Sequence, residues 1–292
     1  MMLAAAVLFG TTGTAQAFGP DTANPLSVGA IRQVVGGSVL LVTVVVWWLR
    51  VHGARLPYWS GKVGWLVLAG ACVMAFQATF FFGTRTNGVA VGTVIALGSS
   101  PLFAGMFEWL LGRRPSRRWL AATAVAVVGI LLLSGAIGQA VALQPVGVLA
   151  SLVAGAGYAG YAVSAGKVVQ QGVSAVPATA AIVGTSGLIG AAVLPFTDNS
   201  WLAQPRGLAV ALWMGAVTVV VAYLLMGAAL RHLPSSTAMT LGLAEPLTAA
   251  TLGVAVLGET LTLLQLVGVL LVLGGIVIAG TGKAVARVPV VA

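Results

Sequence analysis

The apolar residues of this chain fall in blocks of about twenty, the length of helix that crosses a ~30 Å hydrocarbon core, and this pattern restricts the possible folds most strongly. Within lipid, only helices and closed barrels satisfy all of their own backbone hydrogen bonds. Strands of a membrane barrel alternate apolar and polar residues over about ten positions, and the blocks show no such alternation. The sequence therefore predicts an all-α integral membrane protein surrounded by the lipid bilayer.

The composition agrees with a membrane fold. Of the 292 residues, 59% are hydrophobic and 7% are charged, whereas about a quarter of a soluble domain is charged. A net charge of +9 also suits nucleic-acid binding, but basic residues of membrane proteins mark cytoplasmic loops, so we expect no nucleic-acid partner. The single cysteine, Cys72, excludes an internal disulfide and gives no support for a cysteine metal site. We expect neither a metal nor a cofactor.

The apolar blocks predict ten transmembrane helices joined by short connections. The predicted helices span residues 2–18, 26–49, 63–83, 88–111, 117–135, 145–167, 174–196, 207–230, 235–257 and 261–281.

The distribution of basic residues predicts the orientation of these helices. If both termini are cytoplasmic, the outside loops hold only Arg85 and Arg206 as cations, and the remaining loop cations lie inside, as the positive-inside rule requires. The inside cations are then Arg50, Arg55, Lys62, Arg113, Arg114, Arg117, Arg118, Lys167, Arg231, Lys283 and Arg287. We therefore expect a multi-pass protein of the inner or plasma membrane with both termini in the cytoplasm.

The first predicted helix allows a second interpretation. Ala15-Gln16-Ala17 resembles a signal-peptidase site, although no basic segment precedes the apolar stretch. Residues 1–18 are either retained as helix 1 or cleaved, and cleavage would leave nine helices.

The two halves of the chain resemble each other at an offset of about 145 residues, as in Pro246 against Pro101 and Gly155 against Gly10. The offset predicts two repeats, residues 1–139 and 140–292. Because each holds five helices, an odd number, the second enters the membrane upside down. The charges follow this inversion, since four arginines lie after helix 4 and Glu259 lies at the corresponding turn after helix 9. Inverted repeats are typical of secondary transporters, whose substrate site lies between the repeats.

In order and spacing, several short segments resemble the EamA-type members of the drug/metabolite transporter superfamily. These segments are Gly10-Thr11-Thr12-Gly13, Arg32, Ser100-Pro101-Leu102-Phe103, Glu245-Pro246-Leu247 and Leu257-Gly258-Glu259. The resemblance covers nearly the whole chain and implies a 5+5 inverted repeat that exports amino acids or amphiphilic compounds. Arg113 departs from the family pattern, which often has an acidic residue after the corresponding glycine.

Three charged residues lie within predicted helices. A charge at the depth of Glu245 costs about 2.5–3.5 kcal/mol, so Glu245 is expected to face a cavity, pair with a cation or be protonated. Its alternative role is to lock helix 9 to its neighbours. Arg32 is a candidate to bind a substrate carboxylate, to pair with Glu245 or to extend towards the interface. Glu108 is expected to form an interfacial ion pair with Arg113.

The repeat offset predicts further substrate-binding residues. It pairs Gln16 with Tyr161, Gln77 with Tyr223 and Ser100 with Glu245, and Tyr158 shares a helix face with Tyr161. We expect these side chains to converge on a central cavity, with polar packing between helices as the alternative. The prolines Pro101 and Pro246 are expected to kink helices 4 and 9. Phenylalanines 76, 80, 81 and 82 are candidates to line or gate the cavity, or to face lipid.

These features predict a secondary active transporter that moves small organic metabolites by alternating access. Glu245 is the candidate for coupling to protons, and no P-loop is present for ATP hydrolysis. An intramembrane enzyme is disfavoured because the sequence has no HExxH motif and no histidine at a helix centre. A channel or a non-transporting scaffold is the other alternative. Both a monomer and a homodimer are compatible with the sequence.

Overall fold

A computed structural model of the chain describes residues 1–52, 61–135, 143–258 and 260–281. Arg55, Glu259, Lys283 and Arg287, which the sequence places in loops, lie outside these residues. The described helices are α1 (Met2–Ala17), α2 (Pro25–His52), α3 (Val63–Asn87), α4 (Val89–Leu110), α5 (Arg117–Leu133), α6 (Pro145–Gln170), α7 (Ala175–Val193), α8 (Pro205–Trp213), α9 (Ala222–Leu230), α10 (Ser235–Gly242), α11 (Ala244–Leu257) and α12 (Leu263–Gly280).

Most of these helices suit a membrane. Eight continuous helical segments in the described part of the chain are long and apolar enough to cross a bilayer, counting α8–α9 and α10–α11 as one segment each. Helices α1 and α5 are shorter, with 16 and 17 residues. The prediction of an all-α integral membrane protein is therefore confirmed, while the count of ten spanning helices stays a prediction.

Two of the predicted helices change their geometry midway. A π-helical segment, Met214–Val221, joins α8 to α9, and such wide turns are common at functional sites. The ninth predicted helix is interrupted at Leu243, between α10 and α11. Pro246 accounts for this break, because it has no N–H to donate to the carbonyl four residues earlier and its ring clashes there.

Pro101, in contrast, lies inside the continuous helix α4. The carbonyl that Pro101 leaves without its backbone donor belongs to Leu97, and the Ser100 hydroxyl donates to it at 2.9 Å. Ser100 thus supplies this carbonyl with a donor in place of the missing backbone N–H.

Helix packing joins the two predicted repeats throughout. The most extensive contacts pair α3 with α6, α5 with α12, α2 with α7, and α4 with α6. Glycines allow close approach at matched positions: a Cβ on Gly10 of α1 would lie 2.7 Å from the Glu245 carbonyl oxygen, and one on Gly155 of α6 would lie 2.6 Å from the Ala96 carbonyl oxygen. Gly10 and Gly155 therefore each allow a close contact with a helix of the other predicted half.

Candidate substrate-binding site

A cavity of about 300 Å³ lies between α1, α2, α3, α4, α5, α6, α9 and α11. Its wall is mainly apolar, with a small set of polar side chains, which is the usual character of a small-molecule site. The polar side chains are those of Thr12, Gln16, Arg32, Gln77, Thr93, Ser134, Tyr158, Tyr223 and Glu245.

Arg32 and Glu245 bring opposite charges to this cavity. Arg32 is only 6% exposed and its Nε has no hydrogen-bond partner. The two side chains line the same cavity, but within the described residues no ion pair shorter than 4.0 Å joins them. In the structure, Arg32 therefore neither extends to the interface nor forms a direct bridge to Glu245.

The break in the ninth segment positions Glu245. Glu245 is the second residue of α11 and lies in its first turn, next to Pro246, which also lines the cavity. The N–H groups of a first turn have no partners within their own helix, so this helix start adds positive potential to the cavity.

Aromatic rings form one wall of the cavity and continue behind it. Phe76 stacks on Tyr158 with ring centroids 5.0 Å apart, and Tyr158 stacks on Tyr161 at 6.4 Å. Tyr161 meets the edge of Tyr223 at 5.2 Å, and Tyr223 meets Phe9 at 5.3 Å. We call these five residues the aromatic chain. Such contacts hold the rings in fixed positions beside the two charges.

The structure brings most of the predicted residues to one place. The lining residues among them are Gln16, Arg32, Gln77, Tyr158, Tyr223, Glu245 and Pro246. Tyr161 lies behind Tyr158 and Tyr223, and Ser100 and Pro101 lie outside the lining. The Ser100 hydroxyl instead donates to the Leu97 carbonyl within α4.

Two lining threonines were not predicted from the sequence. At the repeat offset, Thr12 corresponds to Gly157 and Thr93 to Ala238, so comparison of the halves offers no polar pair at either position. Thr12 lies in the Gly10–Gly13 segment that carries the family resemblance, and this is the sequence feature that points to it.

A second cavity of about 370 Å³, which we call the vestibule, adjoins the first. The two share Gln16, Phe80, Phe81 and Val89 as lining residues. The vestibule extends to Asp21 and Arg85, at the end where α1 and α3 finish. The site therefore opens towards this end, past the two phenylalanines.

Polar contacts close the other end. The backbone N–H of Ser235 donates to Glu108 Oε1 at 2.6 Å, and the Ser236 hydroxyl donates to Oε2 at 2.5 Å. Arg113 Nη1 donates to Gln170 Oε1 at 2.7 Å, and Gln170 Nε2 donates to the Leu230 carbonyl at 2.9 Å. We call Glu108, Arg113, Gln170, Ser235 and Ser236 the clamp. It joins α4 and the following turn to α6 and α10.

The clamp corrects one prediction. The expected ion pair between Glu108 and Arg113 is wrong, because each side chain bonds to the other half of the chain instead. Glu108 is buried at the start of α10, where Pro234 precedes the helix and offers no side-chain cap. A carboxylate at this position accepts from the free N–H groups of the first turn and is favoured by the helix dipole.

Comparison with known proteins agrees with this architecture. The model of the EamA-like transporter family matches residues 1–135 and again residues 145–281. The transporter YwfM of Bacillus subtilis (strain 168) is 37% identical, with 95% of this chain and 91% of YwfM aligned. The threonine/homoserine exporter RhtA of Escherichia coli (strain K12) is 31% identical, with 97% and 89% aligned.

A solved crystal structure shares the fold, with a TM-score of 0.79, 18% identity and 96% of each chain covered. The family and these relatives are transporters, which confirms the prediction of a membrane transporter and not an enzyme. With two successive matches along the described helices, this chain belongs to the EamA-like transporter family.

Proposed function

We propose that this transporter exports small zwitterionic metabolites, in particular amino acids with short polar side chains, by alternating access. The observation that carries the proposal is the pair of unbridged charges, Arg32 and Glu245, in one mainly apolar cavity. A buried charge without a partner is costly. A substrate with a carboxylate for Arg32 and an ammonium group for Glu245 satisfies both charges at once.

Other substrate classes pair with only one of the two charges in the cavity. An amphiphilic cation would pair with Glu245 and the aromatic chain, but would leave Arg32 without an anion. A plain carboxylate would pair with Arg32 and be repelled by Glu245. One relative is named for threonine and homoserine, so these two zwitterions are the first substrates to test.

The predicted site residues receive distinct roles in this proposal. Arg32 holds the carboxylate in a bidentate geometry, and Glu245 holds the ammonium group. Gln16, Gln77 and Thr12 supply hydrogen bonds to a polar substrate side chain. Tyr158 and Tyr223 exclude water beside the charges, and Tyr161 supports them from behind.

The two ends of the cavity support alternating access. The vestibule leaves one end open, and the clamp closes the other, which corresponds to one of the two states that such transporters exchange. In the second state we propose that the clamp opens and that Phe80 and Phe81 close the vestibule. A channel would instead need one continuous pore.

Proton coupling is the remaining part of the proposal. Glu245 is the acid in the described part of the cavity wall, and its protonation would release the ammonium group of the substrate. A proton entering from the side of higher concentration would then exchange with an outgoing amino acid. The stimulation of transport by an imposed pH gradient measures this coupling.

The orientation follows from the charges of the loops. We propose a cell-membrane location with both termini in the cytoplasm, which places the vestibule outside and the clamp inside. A carboxy-terminal reporter is expected to be active only in the cytoplasm. Activity only on the outer side would overturn this orientation.

The substrate proposal is tested by counterflow in proteoliposomes. Vesicles preloaded with unlabelled threonine are expected to accumulate labelled threonine and homoserine transiently, and protein-free vesicles are not. A labelled amphiphilic cation should not accumulate in vesicles preloaded with that cation. Counterflow of the cation without counterflow of either amino acid would reject the zwitterion as substrate.

A further inference from the structure

A groove of about 410 Å³ lies on the outer surface of the bundle, between α4 and α5, separate from the transport cavity. Its apolar wall includes Leu102, Met106, Trp109 and Leu120. These side chains are strongly exposed, Trp109 for example by 60% and Leu102 by 50%. Because α4 has the length and composition of a membrane span, this exposed apolar surface faces acyl chains.

A cation stands at one end of the groove. Arg114 lines it. Two of the three neighbouring arginines are engaged elsewhere, since Arg113 bonds to Gln170 and Arg118 Nε donates to the Ile278 carbonyl at 3.0 Å. Within the described residues, Arg114 has no hydrogen-bond or ion-pair partner. Its guanidinium is therefore free to accept an anion, and it suits a phosphate in bidentate geometry.

The turn that carries Arg114 is held in place. Gly112 adopts a φ of 87°, which favours glycine, and Pro115 restricts the chain two positions before α5 begins. The Ser116 hydroxyl accepts from the Trp119 N–H at 3.1 Å and caps α5. The backbone that carries Arg114 therefore keeps its position at the end of the groove.

Trp119 and Gly105 shape the floor of the groove. Trp119 is buried against α4, and a Cβ on Gly105 would lie 2.8 Å from its Cζ2 atom. The missing side chain at Gly105 thus leaves room for the indole ring against α4. The floor of the groove is therefore formed by a buried ring packed against α4.

We propose that this groove binds one phospholipid with an anionic headgroup. An acyl chain lies along Leu102, Met106, Trp109 and Leu120, and the phosphate binds Arg114. Basic residues at the ends of transmembrane helices attract anionic lipids with about 1 kcal/mol each. Here the charge and the acyl groove are adjacent, so the site recognises both the headgroup and an acyl chain of the same lipid.

The test titrates the purified protein with phosphatidylglycerol or with phosphatidylcholine of the same acyl chains, and counts bound lipids by native mass spectrometry. We expect one phosphatidylglycerol molecule to bind, with an affinity about fivefold higher than that of phosphatidylcholine. Arg114→Gln should remove this preference. Arg117→Gln is the matched control, because Arg117 belongs to the same basic turn and does not line the groove. It should retain most of the preference.

Three outcomes would overturn the proposal. Equal losses in the two variants would indicate diffuse attraction to the arginines, and equal binding of both lipids would remove the headgroup requirement. Complete displacement of the lipid by glycerol 3-phosphate would indicate a site for a free phosphate. Arg114→Lys keeps the charge without the bidentate geometry and should lower the preference only in part, and thermal melts of all variants show whether folding is unchanged.

Discussion

Replacing Glu245 by glutamine is expected to abolish transport driven by a pH gradient and to slow downhill exchange about 10- to 100-fold, because a charged hydrogen bond to the substrate is lost. The variant also leaves Arg32 as an unopposed charge in the cavity. Substrate ammonium groups then have no anionic partner, and the proposed proton carrier is gone. The measurement is threonine counterflow in proteoliposomes at several pH values, with and without an imposed gradient.

The matched control for this variant is Thr251→Ala. Thr251 lies on the same helix, is exposed, and its hydroxyl donates to the Leu247 carbonyl. It should transport at the wild-type rate. If Glu245→Gln protein with normal expression transports like wild type at every pH, then Glu245 neither couples protons nor binds substrate.

The second large effect is expected at the clamp. Glu108→Ala removes the carboxylate that joins α4 to Ser235 and Ser236 of α10, and should shift the equilibrium about tenfold towards the state in which this end is open. Two single cysteines report the shift in a Cys72→Ser background. The first probe is Ser100→Cys, because Ser100 is buried in α4 between the cavity and Glu108. The second is Thr93→Cys, because Thr93 lies in the cavity wall towards the vestibule.

A soluble maleimide should label the cysteine at position 100 about tenfold faster in the Glu108→Ala protein. Because opening at one end accompanies closure at the other, the cysteine at position 93 should be labelled more slowly. If Glu108→Ala only removed a helix cap, labelling at position 100 would become faster and labelling at position 93 would stay unchanged. This result would contradict the claim that the clamp closes this end. Thr262→Ala removes a cap within α12 only, and should change neither rate. Since no substrate is involved, the result of this experiment does not depend on the proposed substrate.

The bundle itself was predictable because length and apolarity alone decide which segments cross a membrane. The sequence predicted a kink at both Pro101 and Pro246, whereas the structure interrupts the helix before Pro246 and leaves α4 continuous through Pro101. The π-helical segment before Tyr223 was not predicted, because no proline, charge or glycine pair distinguishes Met214–Val221.

Polar lining residues of the cavity were predictable where the other half of the chain has a polar residue at the corresponding position. Gln16, Gln77, Tyr223 and Glu245 have polar counterparts and line the cavity, whereas Thr12 and Thr93 have none. Ser100, the counterpart of Glu245, shows the limit of this inference, because it lies outside the lining and its hydroxyl donates to the Leu97 carbonyl. Glu108 was assigned to the nearest cation in sequence, although its partner is a helix start more than a hundred residues away.

The central claim, that both charges of a zwitterion are recognised in one cavity, is tested most directly by competition in the counterflow assay. The competitors are unlabelled threonine and two analogues that each lack one charged group. These are 3-hydroxybutyrate, without the amino group, and 1-amino-2-propanol, without the carboxylate. We expect threonine to compete and each analogue to compete at least about tenfold less well, because each leaves Arg32 or Glu245 unpaired. Competition by 1-amino-2-propanol as strong as that by threonine would show that the carboxylate is not recognised and would contradict the account.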